Sequence, residues 1–384
     1  MKKKKILFVI PGFTLGGTII SLISLLGKID YNKYEVDLYS RSFLGYDKVC
    51  DKLLNCNILE ENVLLSSTVR TKGVLIKLFS LLLQLAIRCS RKFGYDLYSL
   101  CAKIGCKQIN TCEYDAVIAY QESMVDELSN WSARRKIIWI HSDYIRNAKI
   151  NPRVLSQNIK FNSFDDIVCV SKSAQDSFCS VFPELRNKTS VVYNIIDKDY
   201  ISKKANEDIK LNSSFDQSKY AIISCGRIDP VKQFHLIPSI ADVVKKNCNI
   251  PFKWYIIGGD RNFETYKDLI IQEIDKYNLS DIVLFLGEQS NVYPYISKSN
   301  LLVSLSESET FALVIHEALA LGIPVIMNDI PVAYELLKNN EAECICNLSE
   351  VADKIVKTIC VKPVVESYRN LNDIAINSFN RLFL

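Results

Sequence analysis

The stretch from Ser304 to Asp329 reads SLSESETFALVIHEALALGIPVIMND. Leu301 to Leu305 is a short apolar run suited to a buried strand, and Ser306 to Thr310 is a polar break. Phe311 to Leu321 carries apolar residues at helical spacing, Gly322 is placed to stop that helix, and Pro324 helps begin the next strand. This order predicts a βαβ unit whose polar break falls at the carboxyl end of a parallel strand, where open α/β sheets bind ligands. Free amides at the helix start favour an anion there. Yet Glu309 lies in the break and Glu317 follows in the helix. A ligand with hydroxyls beside its phosphates explains both, because carboxylates accept hydrogen bonds from sugar and ribose hydroxyls. A sugar nucleotide has both groups.

Outward from this unit the chain repeats the same alternation of apolar runs and helical segments, as a parallel α/β sheet requires. Strands are predicted at Ile6 to Ile10, Glu35 to Tyr39, Ala116 to Ala119, Ile137 to Ile140, Ile167 to Val170 and Ser190 to Tyr193. After a polar region from Tyr200 to Tyr220, read as a linker, a second set is predicted. It comprises Tyr220 to Cys225, Phe252 to Ile257, Ile282 to Leu286, Leu301 to Leu305 and Pro324 to Met327. A length of 384 residues fits two domains. The expected division is residues 1–200, residues 201–366, and a terminal segment 367–384.

With 48% hydrophobic and 23% charged residues the chain is globular, and a net charge of +4 argues against nucleic acid as a partner. Thirteen cysteines show no CxxC pair, which suits a reducing compartment and buried free thiols. The closest pair is Cys344 and Cys346, and with only His141, His235 and His316 in the chain a metal centre there is disfavoured. Lys2 to Lys5 followed by ILFVI mimics a signal peptide, but the apolar run is short and broken by Pro11 and Gly12, so it is expected to be a first strand. From Val69 to Lys92 the bases Arg70, Lys72, Lys77, Arg88, Arg91 and Lys92 flank an apolar core with no acidic residue. This is either an interfacial helix that holds anionic lipid or a core helix with basic ends.

Three further places carry candidate chemistry. The strand ending at Cys225 runs into Gly226, Arg227, Ile228, Asp229, Pro230, Val231 and Lys232, with a helix expected from about Gln233 and Asp229 as its cap. Arg227 and Lys232 there could neutralise a diphosphate. Near the start, Gly12 to Gly17 follows the first strand. It lacks the spacing of a dinucleotide or P-loop fingerprint. His141 ends another strand, in either a structural or a ligand-facing role. Asp197-Lys198-Asp199 is a literal DxD, a pattern that holds metal in other proteins, and here is read as a solvated turn.

Assembled in this order, the motifs make the chain resemble the retaining glycosyltransferases of family 4, whose GT-B fold is α/β with two Rossmann-like domains facing each other across a cleft. The resemblance rests on the E-x7-E signature at Glu309 and Glu317, on Gly226, Arg227 and Lys232, on Ile257-Gly258-Gly259, and on Phe285-Leu286-Gly287 before Tyr295. The Gly16-Gly17 loop, the strand ending at His141, DIVCVSKSAQDSF and VVYNIID add to it. It implies that Arg227 and Lys232 bind the donor diphosphate, with Gly226 beside them, that Glu309 holds the transferred sugar and that Glu317 holds the ribose. Backbone around Phe311, Ala312 and Leu313 would meet phosphate and sugar oxygens. The loop after Gly287 would pass the base, Gly16 and Gly17 would close on the donor, and His141 would lie near the sugar. Where the family often has glycine, this chain has Thr310, Ala312 and Gln233, which bears on the identity of the sugar. The segment from Asn370 to Leu384 corresponds to a last helix that crosses back to the first domain in many members.

The resemblance implies transfer of a hexose-type sugar from a nucleoside-diphosphate sugar, UDP being the commonest nucleotide, to a saccharide or lipid-linked saccharide acceptor, without cofactor or essential metal. Chains of this kind build capsule, O-antigen or other surface polysaccharide, so the expected location is cytoplasmic, with peripheral contact at the inner membrane face through Arg70 to Lys92. The rival readings are a sugar-nucleotide epimerase or phosphorylase of the same fold, and a catalytically silent sugar-nucleotide-binding module.

Overall fold

A computed structural model of the chain describes residues 2–384 except 14, 15, 44, 50–52, 54, 61, 63, 66–73, 94, 208–213, 217, 261, 262 and 367–369. Two compact units are present: Met1–Ile195 with Leu371–Leu384, and Ile196–Asn370. Over the described residues each unit contains one parallel sheet. The first has seven strands: β1 Lys4–Ile10, β2 Tyr34–Ser40, β3 Asn57–Ile58, β4 Ala116–Ala119, β5 Lys136–Ile140, β6 Asp166–Cys169 and β7 Thr189–Val191, in the order β3-β2-β1-β4-β5-β6-β7. The second has six: β8 Tyr220–Cys225, β9 Phe252–Ile257, β10 Val283–Gly287, β11 Leu301–Ser304, β12 Val325–Asn328 and β13 Glu343–Cys346, in the order β10-β9-β8-β11-β12-β13.

Sequence patterning locates these strands because strands covered on both faces read as continuous apolar runs. β1, β4 and β5 are almost wholly buried. β3 and β13 escape that reading. β3 is two residues long. In β13 the first residue is Glu343, buried because its carboxylate accepts from Lys338 N at 3.0 Å and pairs with Lys338 Nζ at 3.8 Å. Cys344 and Cys346 are thus edge-strand residues, buried and free of disulfide.

Two further expectations are corrected. Asp197 does not sit in a solvated turn: its carboxylate caps the helix Lys198–Ala205 by accepting from Tyr200 N at 3.2 Å, so that helix occupies the start of the supposed linker. The basic segment is the helix Val74–Lys92, with Arg70 and Lys72 outside the described residues. It is not an ordinary core helix. Leu75, Leu78, Phe79, Leu82 and Leu85 are exposed, Leu75 to 81%, while Ser80 and Ile87 are buried.

One face of the first sheet is closed by the helix Asn372–Arg381. Phe379 packs on Phe8, Tyr34 and Trp139 with ring centroids 6.5, 5.7 and 6.4 Å apart. Tyr34 donates to Asn380 Oδ1 at 2.9 Å, and Lys4 and Arg135 donate to the carbonyls of Phe383 and Leu382. Phe379→Ala is expected to cost this unit about 3 to 5 kcal/mol, the usual range for deleting a buried aromatic ring. Urea unfolding followed by the fluorescence of Trp139, with Trp131 and Trp254 replaced by Phe in both chains compared, measures it, and a loss below about 1 kcal/mol would show that the helix is a dispensable cover.

Candidate functional site

In the second sheet β8 has β9 on one side and β11 on the other, so the crossovers that follow β8 and β11 leave in opposite directions. Such a switch point opens a crevice at the carboxyl ends of the strands. The loop after β8 carries Gly226, Arg227 and Lys232, and the loop after β11 carries Glu309.

Backbone geometry fixes the first loop. Gly226 N donates to Ile257 O at 3.0 Å, Ile228 N to Gly259 O at 2.9 Å and Gly258 N to Gly287 O at 3.0 Å. A Cβ on Gly258, whose φ is +157°, would lie 1.7 Å from Gly226 O. Gly226 itself has φ of +155°, and a Cβ there would meet Lys232 Cε at 3.1 Å. Glycine is therefore required at 258 for the close approach, and at 226 it gives the Lys232 stem room to cross.

Lys232 then pairs with Glu309 Oε1, and Ser306 Oγ donates to the same oxygen at 2.8 Å. The two loops are also joined through Glu307 N to Val231 O at 2.8 Å, and Asn328 Nδ2 from the end of β12 donates to Ser306 O at 3.1 Å. Arg227 behaves differently. Its side chain is 80% exposed, and Asp229 Oδ2, buried beneath it, holds Arg227 Nη2 at 3.1 Å. Asp229 thus pairs with arginine instead of capping a helix through its side chain, and the α-helix begins at Ile237, after two 3-10 turns at Pro230–Lys232 and Phe234–Leu236.

Two non-glycine residues at this site adopt the left-handed conformation, Gln233 with φ of 51° and Ala312 with φ of 50°. Both stand where the family resembled often has glycine. Ala312 immediately precedes the helix Leu313–Ala320, which is shorter than the Phe311 to Leu321 span expected from periodicity, and Phe311 stacks on His316 with centroids 4.7 Å apart. The helix start directs the amides near Leu313 toward the loop of Glu309.

Glu317 lies on this helix at 9% exposure, and Tyr293 Oη donates to its Oε1 at 3.0 Å. Burial raises the Glu317 carboxyl to about 7, against the opposing pull of the tyrosine bond. Between its ordinary value and about 7 the folded chain keeps a proton that the unfolded chain has released. Stability from this group therefore falls as pH rises through that window. Tyr293 was invisible to sequence reasoning, since it lies 24 positions away on another crossover.

In the first sheet the switch point lies between β1 and β4. Gly16 precedes the helix Gly17–Leu26 with extended backbone, φ 179°, and no described atom lies within 4 Å of a Cβ built on it. Thr14 and Leu15, in the same loop, are outside the described residues. His141 follows β5. Its backbone N–H donates to Glu122 Oε2 at 3.0 Å, Ser142 Oγ donates to Glu122 Oε1, and its ring lies 5.1 Å from that of Tyr120. Burial holds the imidazole below its usual value, with Glu122 acting in the opposite direction.

Comparison with solved structures identifies this architecture. HepE of Anabaena, crystallised with UDP and glucose, superposes with a TM-score of 0.70 at 17% identity over 99% of this chain and 98% of that one. TarM superposes with a TM-score of 0.68 at 13% identity over 100% and 97%. The fold is GT-B. Residues 205–366 match the family model for glycosyl transferases group 1. Among curated relatives, the N-acetyl-alpha-D-glucosaminyl L-malate synthase of Bacillus anthracis is 27% identical over 50% of this chain and 49% of its own length. An N-acetylgalactosaminyltransferase of Campylobacter jejuni that acts on a diphospho-undecaprenol-linked saccharide is 30% identical over 48% and 46%. The O-antigen chain mannosyltransferase of Salmonella typhimurium is 28% identical over 45% and 44%. The chain spans about half the length of these curated relatives.

Left-handed backbone costs a non-glycine residue about 1 to 2 kcal/mol, part of which glycine gives back in unfolded-state entropy. Gln233→Gly is therefore expected to raise stability by about 1 kcal/mol in urea unfolding, and a loss would show that the glutamine side chain holds the loop.

Proposed function

We propose that the chain is a retaining glycosyltransferase that moves a hexose-type sugar from a nucleoside-diphosphate sugar, with UDP the favoured nucleotide, to a hydroxyl of a saccharide or lipid-linked saccharide in surface polysaccharide synthesis. The observation that carries this reading is the pairing of Lys232 with Glu309 across the β8/β11 switch point, with the exposed Arg227 side chain anchored by Asp229 on the same loop. An ammonium has three donors. One engages Glu309, and the others remain for a diphosphate. Arg227 supplies a bidentate face for the same oxygens. Glu309, fixed by Lys232 and Ser306, accepts from hydroxyls of the transferred sugar.

In the reaction the acceptor oxygen bonds to the anomeric carbon on the face from which the diphosphate departs. The bond from that carbon to the β-phosphate oxygen breaks, its electron pair stays on the diphosphate, and the departing phosphate takes the acceptor's proton. Lys232 and Arg227 stabilise the charge that develops there, so no metal is required.

Glu309→Ala, Arg227→Ala and Lys232→Ala are each expected to lower turnover by about 100-fold or more, as loss of other preorganised charge stabilisers does. Nucleotide release from a panel of UDP- and GDP-sugars, with and without chelator, measures this. Near-normal turnover in all three variants would remove the site assignment, and release from no donor together with no nucleoside diphosphate binding would favour a silent binding module.

The acceptor reading extends to the membrane. No helix among the described residues is long and apolar enough to cross a bilayer. The exposed leucines and Phe79 of Val74–Lys92, beside Lys77 and Arg88 and with no acidic residue in the helix, suit an anionic lipid surface. Phe79→Glu with Leu82→Glu is expected to lower partition onto phosphatidylglycerol vesicles by about tenfold or more in sedimentation, and unchanged partition would exclude this face.

A further inference from the structure

Tyr293 opens the helix Tyr293–Ser297, in the crossover after β10, and is itself buried. Its ring meets Tyr200 of the helix Lys198–Ala205 edge-on, with centroids 6.3 Å apart and planes at 89°. The preceding turn is tied down as well: Asn291 Nδ2 donates to Lys204 O at 2.8 Å and to Glu207 Oε2 at 2.9 Å, and Asn291 Oδ1 accepts from Tyr293 N at 3.1 Å. The phenol that reaches Glu317 is therefore fixed from two sides.

We infer that Tyr293 is the positioning residue that turns the Glu317 carboxylate toward the ribose hydroxyls of a bound nucleoside diphosphate, an inference that rests on the donor-site reading above. A carboxylate's terminal torsion is broad and nearly two-fold, so a buried Glu needs an external bond to select one orientation. Oε1 takes the phenol, which leaves Oε2 to accept from the ligand. The same bond favours the charged form against the burial that opposes it. The other groups facing this pair are Cys225 at the end of β8, whose thiol is raised chiefly by burial and also by Glu317, and Tyr200 and Asp197, which face Tyr293. None of them is a cation. The tyrosine hydroxyl is thus the described group that offsets the desolvation of Glu317.

The consequence is a pH-dependent nucleotide affinity that a packing role would not produce. Ribose hydroxyls bind the ionised carboxylate better, so affinity rises as pH passes upward through about 7. Without the phenol the midpoint moves to higher pH. Calorimetric titration of the full chain with UDP and with GDP, from about pH 5 to about pH 9, reads this in wild type, Tyr293→Phe and Glu317→Gln. Ionisation of the nucleotide's own phosphate cancels between wild type and variant.

The expected result for Tyr293→Phe is a midpoint raised by about one pH unit, several-fold weaker binding near neutrality, and convergence with wild type to within about twofold at the alkaline end. Glu317→Gln should lose the transition. An unmoved midpoint, or the same loss at every pH, overturns the inference while nucleotide binding itself upholds the donor site. No binding of either nucleotide by wild type overturns both. Should Tyr293→Phe not fold, fluorotyrosine placed at 293, a stronger donor with the same ring, decides the matter. It is expected to lower the midpoint, and an unmoved midpoint overturns the inference.

Discussion

The contact on which the second unit depends is the approach of the Gly258 backbone to the Gly226 carbonyl, a gap too small for any side chain. It lets the loops after β8 and β9 bond to each other, and the β9 loop bond to the end of β10. Because the β8 loop is held on that flank, its other flank can be joined to the β11 loop by a backbone bond and an ion pair. The charged groups at the switch point are therefore set in place by backbone geometry before any ligand arrives. Preorganisation of this sort gives electrostatic stabilisation its value, since no free energy is then spent on reorienting dipoles during the reaction.

The same region departs from the conformations that stability alone would select. Gln233 and Ala312 hold left-handed backbone, and Glu317 is a carboxylic acid buried beside a phenol and a thiol. Each is a cost borne elsewhere, by a sheet whose strands are almost entirely buried and by the aliphatic cluster around Trp254 and Ile270. Strained backbone and a buried acid together at the strand ends of a well-packed sheet are a pattern expected of a binding site, although Asn278, Asn339 and Lys362 of the same unit also hold left-handed backbone.

Much of this was legible in the linear chain. The βαβ unit around Glu309 and the glycine-arginine-lysine loop were found because each lies within one strand-to-helix connection, where spacing and residue type suffice. Strands with buried faces were found because their apolar runs are unbroken. What could not be read is whatever depends on partners distant in sequence. Glu343 breaks the apolar run of β13 and is tolerated through Lys338. Asp229 has good capping chemistry, yet Arg227 claims it. The apolar residues of Val74–Lys92 predict a helix, but periodicity does not say which side meets protein, and here much of the apolar side meets solvent. Tyr293 reaches Glu317 only because a separate crossover returns over the same strand ends.

The discontinuity of the first unit affects how the chain is made. Its sheet is encoded in residues 1–195, but the helix that covers Phe8, Tyr34 and Trp139 is encoded after the whole of the second unit. During synthesis the continuous second unit has all its strands available while the first still shows an aromatic strip to the surroundings. Domains that emerge first usually finish first. Here the order of completion is reversed, and the nascent first unit is the species that a chaperone would recognise until residues 371–384 leave the ribosome.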